Sequence, residues 1–112
     1  MLDLVAKKLF LTKGIGVAED KLTSFEFALR AAGIAGTNIV LISSIFPPYA
    51  KLVSRKDGLK QIKPGQILFS IYSRNQTNEP NRLVSASVGI AQPKDRSKYG
   101  YLSEYDTFGK NE

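Results

Sequence analysis

Residues 38–48 read Asn-Ile-Val-Leu-Ile-Ser-Ser-Ile-Phe-Pro-Pro, and the rest of the chain is organised around this stretch. The run 38–42 is short, apolar and rich in β-branched side chains, so a buried strand is predicted over 38–43. Pro47 and Pro48 cannot donate to a strand ladder and must end it. Ser43 and Ser44 are therefore expected at a strand terminus. Serines in such places often satisfy the backbone groups of a turn, and spacing alone favours that role.

The residues before this strand predict a helix over 24–32. Its apolar positions follow a helical spacing: Leu22, Phe25, Leu29 and Ala32. Thr23 and Glu26 match the Thr-x-x-Glu pattern of a capping box, which starts the helix at Ser24 and leaves Glu26 open to either a capping role or a substrate contact. Gly33 is expected to end the helix in the left-handed conformation.

The remaining patterns are mainly those of strands. Strand-like runs cover 8–12, 66–73, 82–91 and 99–106. Gly14 and Gly16 permit a tight turn or a close backbone approach. The segment 44–65 is interpreted as a basic connection marked by prolines. This order of elements predicts one α+β domain over 1–112, with a helix packed on a mainly antiparallel sheet.

Composition limits the chemistry that is available. The 112 residues include no cysteine and no histidine, which excludes thiol catalysis and removes the usual metal ligand and the usual acid/base group near neutrality. Any reaction must use hydroxyls, carboxylates, lysines or a group made from the chain itself. No apolar run approaches the ~18 residues that span a bilayer, so we expect a cytoplasmic protein with no membrane partner.

The charge does not predict a nucleic-acid partner. Sixteen lysines and arginines oppose ten aspartates and glutamates, which gives a formal net charge of +6. The excess forms two modest concentrations: Lys51, Arg55, Lys56, Lys60 and Lys63, and then Lys94, Arg96 and Lys98. Neither is interleaved with the aromatic side chains that a single-strand binder uses, so two solvated loops are the simpler interpretation.

Residues 22–48 closely resemble the pyruvoyl-dependent arginine decarboxylases. The shared features are a helix, an Ala-Gly-Ile turn at 32–34, Asn38 before the strand, and Ser-Ser-Ile-x-Pro-Pro at 43–48. The resemblance continues through 88–97 and 102–105 and covers most of the chain. Members of this family run on for several tens of residues past the end of this sequence, through a further helix and strand.

The resemblance implies a self-cleaving protein whose cofactor is a pyruvoyl group derived from Ser44, with no metal and no pyridoxal phosphate. Ser44 Oγ would attack the Ser43 carbonyl, and the products would be a β chain, 1–43, and an α chain, 44–112. Asn38 matches an asparagine associated with processing, although it also suits an ordinary turn. Glu104 matches the family's catalytic acid, which would donate a proton to the substrate.

The resemblance further implies that arginine is decarboxylated to agmatine and carbon dioxide. Glu26 stands where the family usually has aspartate, and Leu22, Ser43 and Ile45 match other substrate contacts. The implied fold is an αββα sandwich assembled as a homotrimer, with active sites between subunits. The alternative from another functional class is a non-catalytic basic binding or assembly module that keeps the fold.

Overall fold

The computed structural model describes residues 4–77 and 83–109. In chain order its elements are β1 (Lys8–Phe10), α1 (Lys21–Ala32), β2 (Asn38–Leu41), β3 (Ile45–Phe46), β4 (Lys51–Val53), α2 (Arg55–Lys60), β5 (Ile67–Ser70), β6 (Leu83–Ala91) and β7 (Gly100–Gly109). The chain divides into two compact units, Met1–Val40 with Tyr49–Leu68 and Leu41–Pro48 with Phe69–Glu112. The α+β class predicted from the sequence is confirmed.

The described strands form three small sheets. β1 pairs in parallel with β4, β2 pairs with β5, and β3, β7 and β6 form an antiparallel sheet in that order. No helix in the described part of the chain is long and apolar enough to cross a membrane.

Helix α1 begins three residues earlier than predicted, and the capping box is wrong. The N-cap is Asp20, whose carboxylate accepts hydrogen bonds from the Thr23 amide at 2.7 Å and from the Thr23 hydroxyl at 2.8 Å. Asp20 therefore takes the capping bonds that the sequence pattern assigned to Thr23 and Glu26. At the other end Gly33 has φ +89°, which confirms the predicted left-handed terminator.

The segment after β1 lies directly against α1. A Cβ atom at Gly14 would overlap the Ala28 carbonyl oxygen, and one at Gly16 would overlap the Ser24 carbonyl oxygen. Only glycine allows this backbone approach, as the sequence pattern predicted. The guanidinium of Arg55 donates to the Thr12 hydroxyl at 2.8 Å and to the Ala31 carbonyl at 2.9 Å. A cation at the carboxyl end of a helix is favourably placed.

The interpretation of 44–65 as a connection is wrong, because it contains β3, β4 and α2. Ser54 caps α2 by accepting from the Asp57 amide at 3.1 Å. The Asp57-Gly58 pair, a turn signal in sequence, instead lies inside this helix. Gly58 is buried where a Cβ atom would overlap the Phe10 ring. The packing of α2 on β1 thus favours a helical conformation in a segment whose local propensity favours a turn.

The second unit is built on the predicted hairpin of β6 and β7. Leu83 pairs with Gly109 and Ala91 with Tyr101, so β7 runs past the predicted end at 106, while residue 82 lies outside the described residues. β5 and β2 are shorter than predicted, and β2 ends at Leu41 rather than 43. Phe46 of β3 and Leu102 of β7 are buried, with exposures of 2% and 3%.

We predict that Asp20→Ala lowers the urea midpoint of unfolding at neutral pH, because Thr23 loses its acceptor. The Thr23 amide and hydroxyl bonds hold the pKa of the Asp20 carboxyl below its ordinary value. This stabilisation is therefore complete above the unfolded pKa, about 3.9, and is lost as the pH falls through the lower folded pKa.

Asp20→Asn is the matched control, because asparagine caps a helix and does not titrate. It should keep the midpoint near the wild-type value at neutral pH and remove the part of its acid dependence that comes from Asp20, leaving that of Asp95, whose pKa the Ser97 hydrogen bonds also lower. A Glu26→Ala chain that loses as much stability as Asp20→Ala would reinstate the capping box, because alanine cannot bond the N-cap amide as glutamate or glutamine does.

Candidate functional site

The Ser43–Ser44 peptide joins two strands of different sheets, with its side chains exposed. On one side of it the Ile42 amide donates to the Ser70 carbonyl at 2.9 Å. On the other side the Ser44 carbonyl accepts from the Leu102 amide at 2.6 Å. The two serines are therefore held by neighbours on β5 and β7, while the bond between them remains accessible.

The register of β3 with β7 relates Ser44 to Glu104. Ile45 pairs with Tyr101 and Phe46 with Gly100, and the Leu102–Ser44 hydrogen bond extends this register by one residue. Opposed residues in an antiparallel ladder project to the same face, and so do alternate residues of a strand. Ser44, Leu102 and Glu104 therefore belong to one face, with Glu104 about 7 Å beyond Leu102 along β7.

Glu104 is exposed at this position. It pairs with Val88 on β6, and Leu102, two residues before it, is buried. The carboxyl thus has apolar neighbours in the sheet but is not enclosed by the described residues of a single chain. Its role as a proton donor stays a prediction.

Glu26 and Leu22 lie on α1, in the first unit. The Glu26 carboxylate binds the Arg30 guanidinium at 2.6 Å, one helical turn along, and their side chains are 55% and 62% exposed respectively. Arg30 also lies over the Phe27 ring, 5.8 Å from its centroid. Leu22 is 78% exposed. The carboxylate that the resemblance assigns to a substrate guanidinium is therefore accessible and already holds a guanidinium of its own chain.

Asn38 opens β2 and has structural partners. Its amide donates to the Gln66 carbonyl at 2.8 Å, and its side-chain Nδ2 donates to the Gly65 carbonyl at 3.0 Å. Gly65 has φ +81°, a conformation that glycine adopts without strain. Asn38 thus ties β2 to the turn that precedes β5, and its part in processing stays a prediction.

Sequence reasoning missed three contributors. The Leu102 amide belongs to the backbone, so no residue type signals it. The Ser73 hydroxyl donates to the Tyr105 carbonyl at 2.7 Å and joins the segment after β5 to β7. Arg30 could have been found, since Glu26 and Arg30 have the i, i+4 spacing of helical ion pairs.

Tyr101 lies opposite Ile45, on the face of β7 that does not carry Glu104. Its ring contacts that of Tyr99, which precedes the strand. Their rings meet edge to face with centroids 5.7 Å apart, and the hydrogen bond with Tyr99 raises the pKa of Tyr101. A shallow concavity of about 330 Å³ adjoins the pair and is lined by Ala91, Gln92, Pro93, Tyr99, Gly100 and Tyr101. It does not include Ser44 or Glu104. Among the described residues, no group of three or more carboxylates could hold a metal ion.

Comparison with known proteins gives a consistent family. The profile of the family described as pyruvoyl-dependent arginine decarboxylase matches residues 8–112. The pyruvoyl-dependent arginine decarboxylase of Nitrosopumilus maritimus (strain SCM1) is 79% identical over 112 residues, which are all of this chain and 61% of that protein.

More distant relatives carry the same family name. The protein of the same name from Thermoplasma volcanium is 54% identical over the whole chain and 62% of its own length. A probable pyruvoyl-dependent arginine decarboxylase of Chlorobaculum tepidum is 53% identical over 97% of this chain and 60% of its own length. The chain therefore spans about three fifths of the length of these curated relatives.

Proposed function

Because this chain belongs to the pyruvoyl-dependent arginine decarboxylase family, we propose that it cleaves itself between Ser43 and Ser44 and then decarboxylates arginine to agmatine and carbon dioxide. One observation carries the proposal: an exposed Ser-Ser peptide lies between hydrogen bonds to two different strands. Such anchoring holds the reacting atoms in place while leaving room for the tetrahedral geometry that an attack creates.

Processing uses only the chain and water. Ser44 Oγ attacks the Ser43 carbonyl carbon, the peptide C–N bond breaks, and an ester replaces it while the proton of the hydroxyl passes to the freed amine. Loss of the Ser44 Cα proton and cleavage of its Cβ–Oγ bond then release 1–43 as a carboxylate. The dehydroalanine left at position 44 takes up water and loses ammonia, which gives the pyruvoyl group.

The described structure supports a protein that stays assembled after this cut. β1 and β2 belong to 1–43, whereas their partners β4 and β5 belong to 44–112. Arg55 of the second piece also binds Thr12 and Ala31 of the first. Cleavage therefore leaves these strand pairings and hydrogen bonds unbroken.

The pyruvoyl group, when present, supplies the carbonyl that takes the substrate amine and the electron sink for the departing carboxylate. Ser44 is suited to form this group, because the residue is exposed and its carbonyl accepts a hydrogen bond from the Leu102 amide of β7. Glu104, on the same face, delivers the proton to the substrate Cα. Glu26 receives the guanidinium, with Leu22, Ser43 and Ile45 as further contacts, and Asn38 assists processing.

We further propose that the complete protein is a cytoplasmic homotrimer built from αββα sandwiches. Support comes from the exposed apolar side chains on the paired strands β2 and β5, where Leu41 and Ile67 are each 59% and Phe69 is 49% exposed. A large apolar surface favours contact with another protein surface. The incomplete enclosure of Glu104 agrees with a site finished by a neighbouring subunit.

Ser44→Ala should abolish both self-cleavage and agmatine formation, because alanine supplies neither the nucleophile nor the leaving group. Electrophoresis and an agmatine assay measure the two effects. Ser87→Ala on β6 is the matched control, since it removes a hydroxyl elsewhere and should process like the wild type. A Ser44→Ala chain that splits at this bond refutes the proposed chemistry, and a wild type that never splits favours the basic binding module.

Glu104→Gln should process normally but decarboxylate arginine roughly 10² to 10⁴-fold more slowly, as expected when a general acid is lost. Single-turnover measurements on the processed protein isolate this step. Asp106→Asn is the control, because Asp106 lies two residues along the same strand face and is exposed. Equal rates in the two variants would remove Glu104 from the mechanism.

Glu26→Gln should leave self-cleavage intact and raise the KM for arginine roughly ten- to a hundred-fold, since a charge-assisted pair worth about 1.5–3 kcal/mol is lost. Arg30→Met should lower that KM by roughly two-fold, because the substrate no longer displaces an exposed helical pair worth about 0.2–0.5 kcal/mol. Steady-state kinetics with arginine, lysine and ornithine complete the test. Equal turnover of all three amino acids would show that Glu26 does not recognise the guanidinium of arginine.

A further inference from the structure

The hydrogen bond from the Leu102 amide ends on a carbonyl that processing never breaks. The peptide bond that is cut has the carbonyl of Ser43, whereas Leu102 donates to the carbonyl of Ser44, at 2.6 Å. This carbonyl is attached to the Ser44 Cα, whose proton must leave in the elimination step. The Leu102 amide therefore points at the oxygen that receives charge when that proton departs.

We propose that the Leu102 backbone amide is an oxyanion donor for the elimination that releases residues 1–43, an inference that rests on the function proposed above. A water molecule takes the Ser44 Cα proton, and the electron pair moves onto the Ser44 carbonyl oxygen. The pair then returns to form the Cα–Cβ double bond, while the Cβ–Oγ bond breaks and the Ser43 carboxylate leaves. Among the steps of processing, only this one builds charge on the Ser44 oxygen.

The surrounding packing fixes the donor in advance. Leu102 is 3% exposed, and its neighbours Gly100 and Tyr101 pair with Phe46 and Ile45. Phe46 is itself 2% exposed, so both sides of the Leu102–Ser44 bond are anchored in the buried part of the second unit. A donor held in this way needs no reorganisation during the reaction, and losing one such donor typically slows a reaction by about 10² to 10³-fold.

The direct test replaces the Leu102 amide by an ester, through incorporation of leucic acid into the full chain. The matched control is the same change at Ser103, with glyceric acid, because successive strand amides point to opposite edges and that of Ser103 points to β6. We expect the Leu102 ester to slow release of 1–43 by about 10² to 10³-fold. The unreleased ester should accumulate and split at once on addition of hydroxylamine, whereas the Ser103 ester should process at the wild-type rate.

Equal processing rates in the Leu102 ester and the wild type, or equal slowing in both ester variants, would overturn the inference while leaving the proposed function intact. A wild type that never splits would overturn both. A second measurement applies even if an ester variant does not fold. In the unprocessed Ser44→Ala chain, nuclear magnetic resonance should detect scalar coupling across the hydrogen bond between the Leu102 nitrogen and the carbonyl carbon of residue 44. Absence of that coupling in the folded chain would also overturn the inference.

Discussion

The hydrogen bond between the Leu102 amide and the Ser44 carbonyl is the interaction on which the candidate site depends. It joins β3 to β7 at the point where the chain leaves the β2–β5 pair, and it sets the register that puts Ser44 and Glu104 on one face. Pro47 and Pro48 prevent the strand from continuing, because neither has an amide to donate. The serines therefore remain an exposed link between two anchored strands, an arrangement that is compatible with the proposed self-cleavage.

Much of this arrangement was predictable because it depends on local patterns. The strand-like run 82–91 predicted β6, and Gly33 predicted the end of α1. The remaining features depend on contacts between distant residues. Gly58 lies within a helix because the Phe10 ring packs against it, and Asp20 replaced the Thr23–Glu26 capping box because its carboxylate reaches the Thr23 amide. The Leu102 amide could not be predicted at all, since every residue except proline has one.

The ion pair of Glu26 with Arg30 is the contact that the guanidinium of the proposed substrate would have to replace. An exposed carboxylate gains little from a helical partner, so an incoming guanidinium can compete for it at small cost. Enclosure by a neighbouring subunit would strengthen the charge-assisted bond by excluding water. In the proposed trimer, selectivity for arginine would therefore depend on assembly as much as on the identity of residue 26.

Self-cleavage between Ser43 and Ser44 is tested most directly by the mass of the purified protein before and after reduction with borohydride. Self-cleavage with formation of a pyruvoyl group predicts two pieces, 1–43 and 44–112, and a blocked amino terminus on the second piece that gains two hydrogens because a ketone is reduced. A single intact chain of 112 residues, or a second piece that begins with an ordinary serine and is unchanged by borohydride, would contradict it.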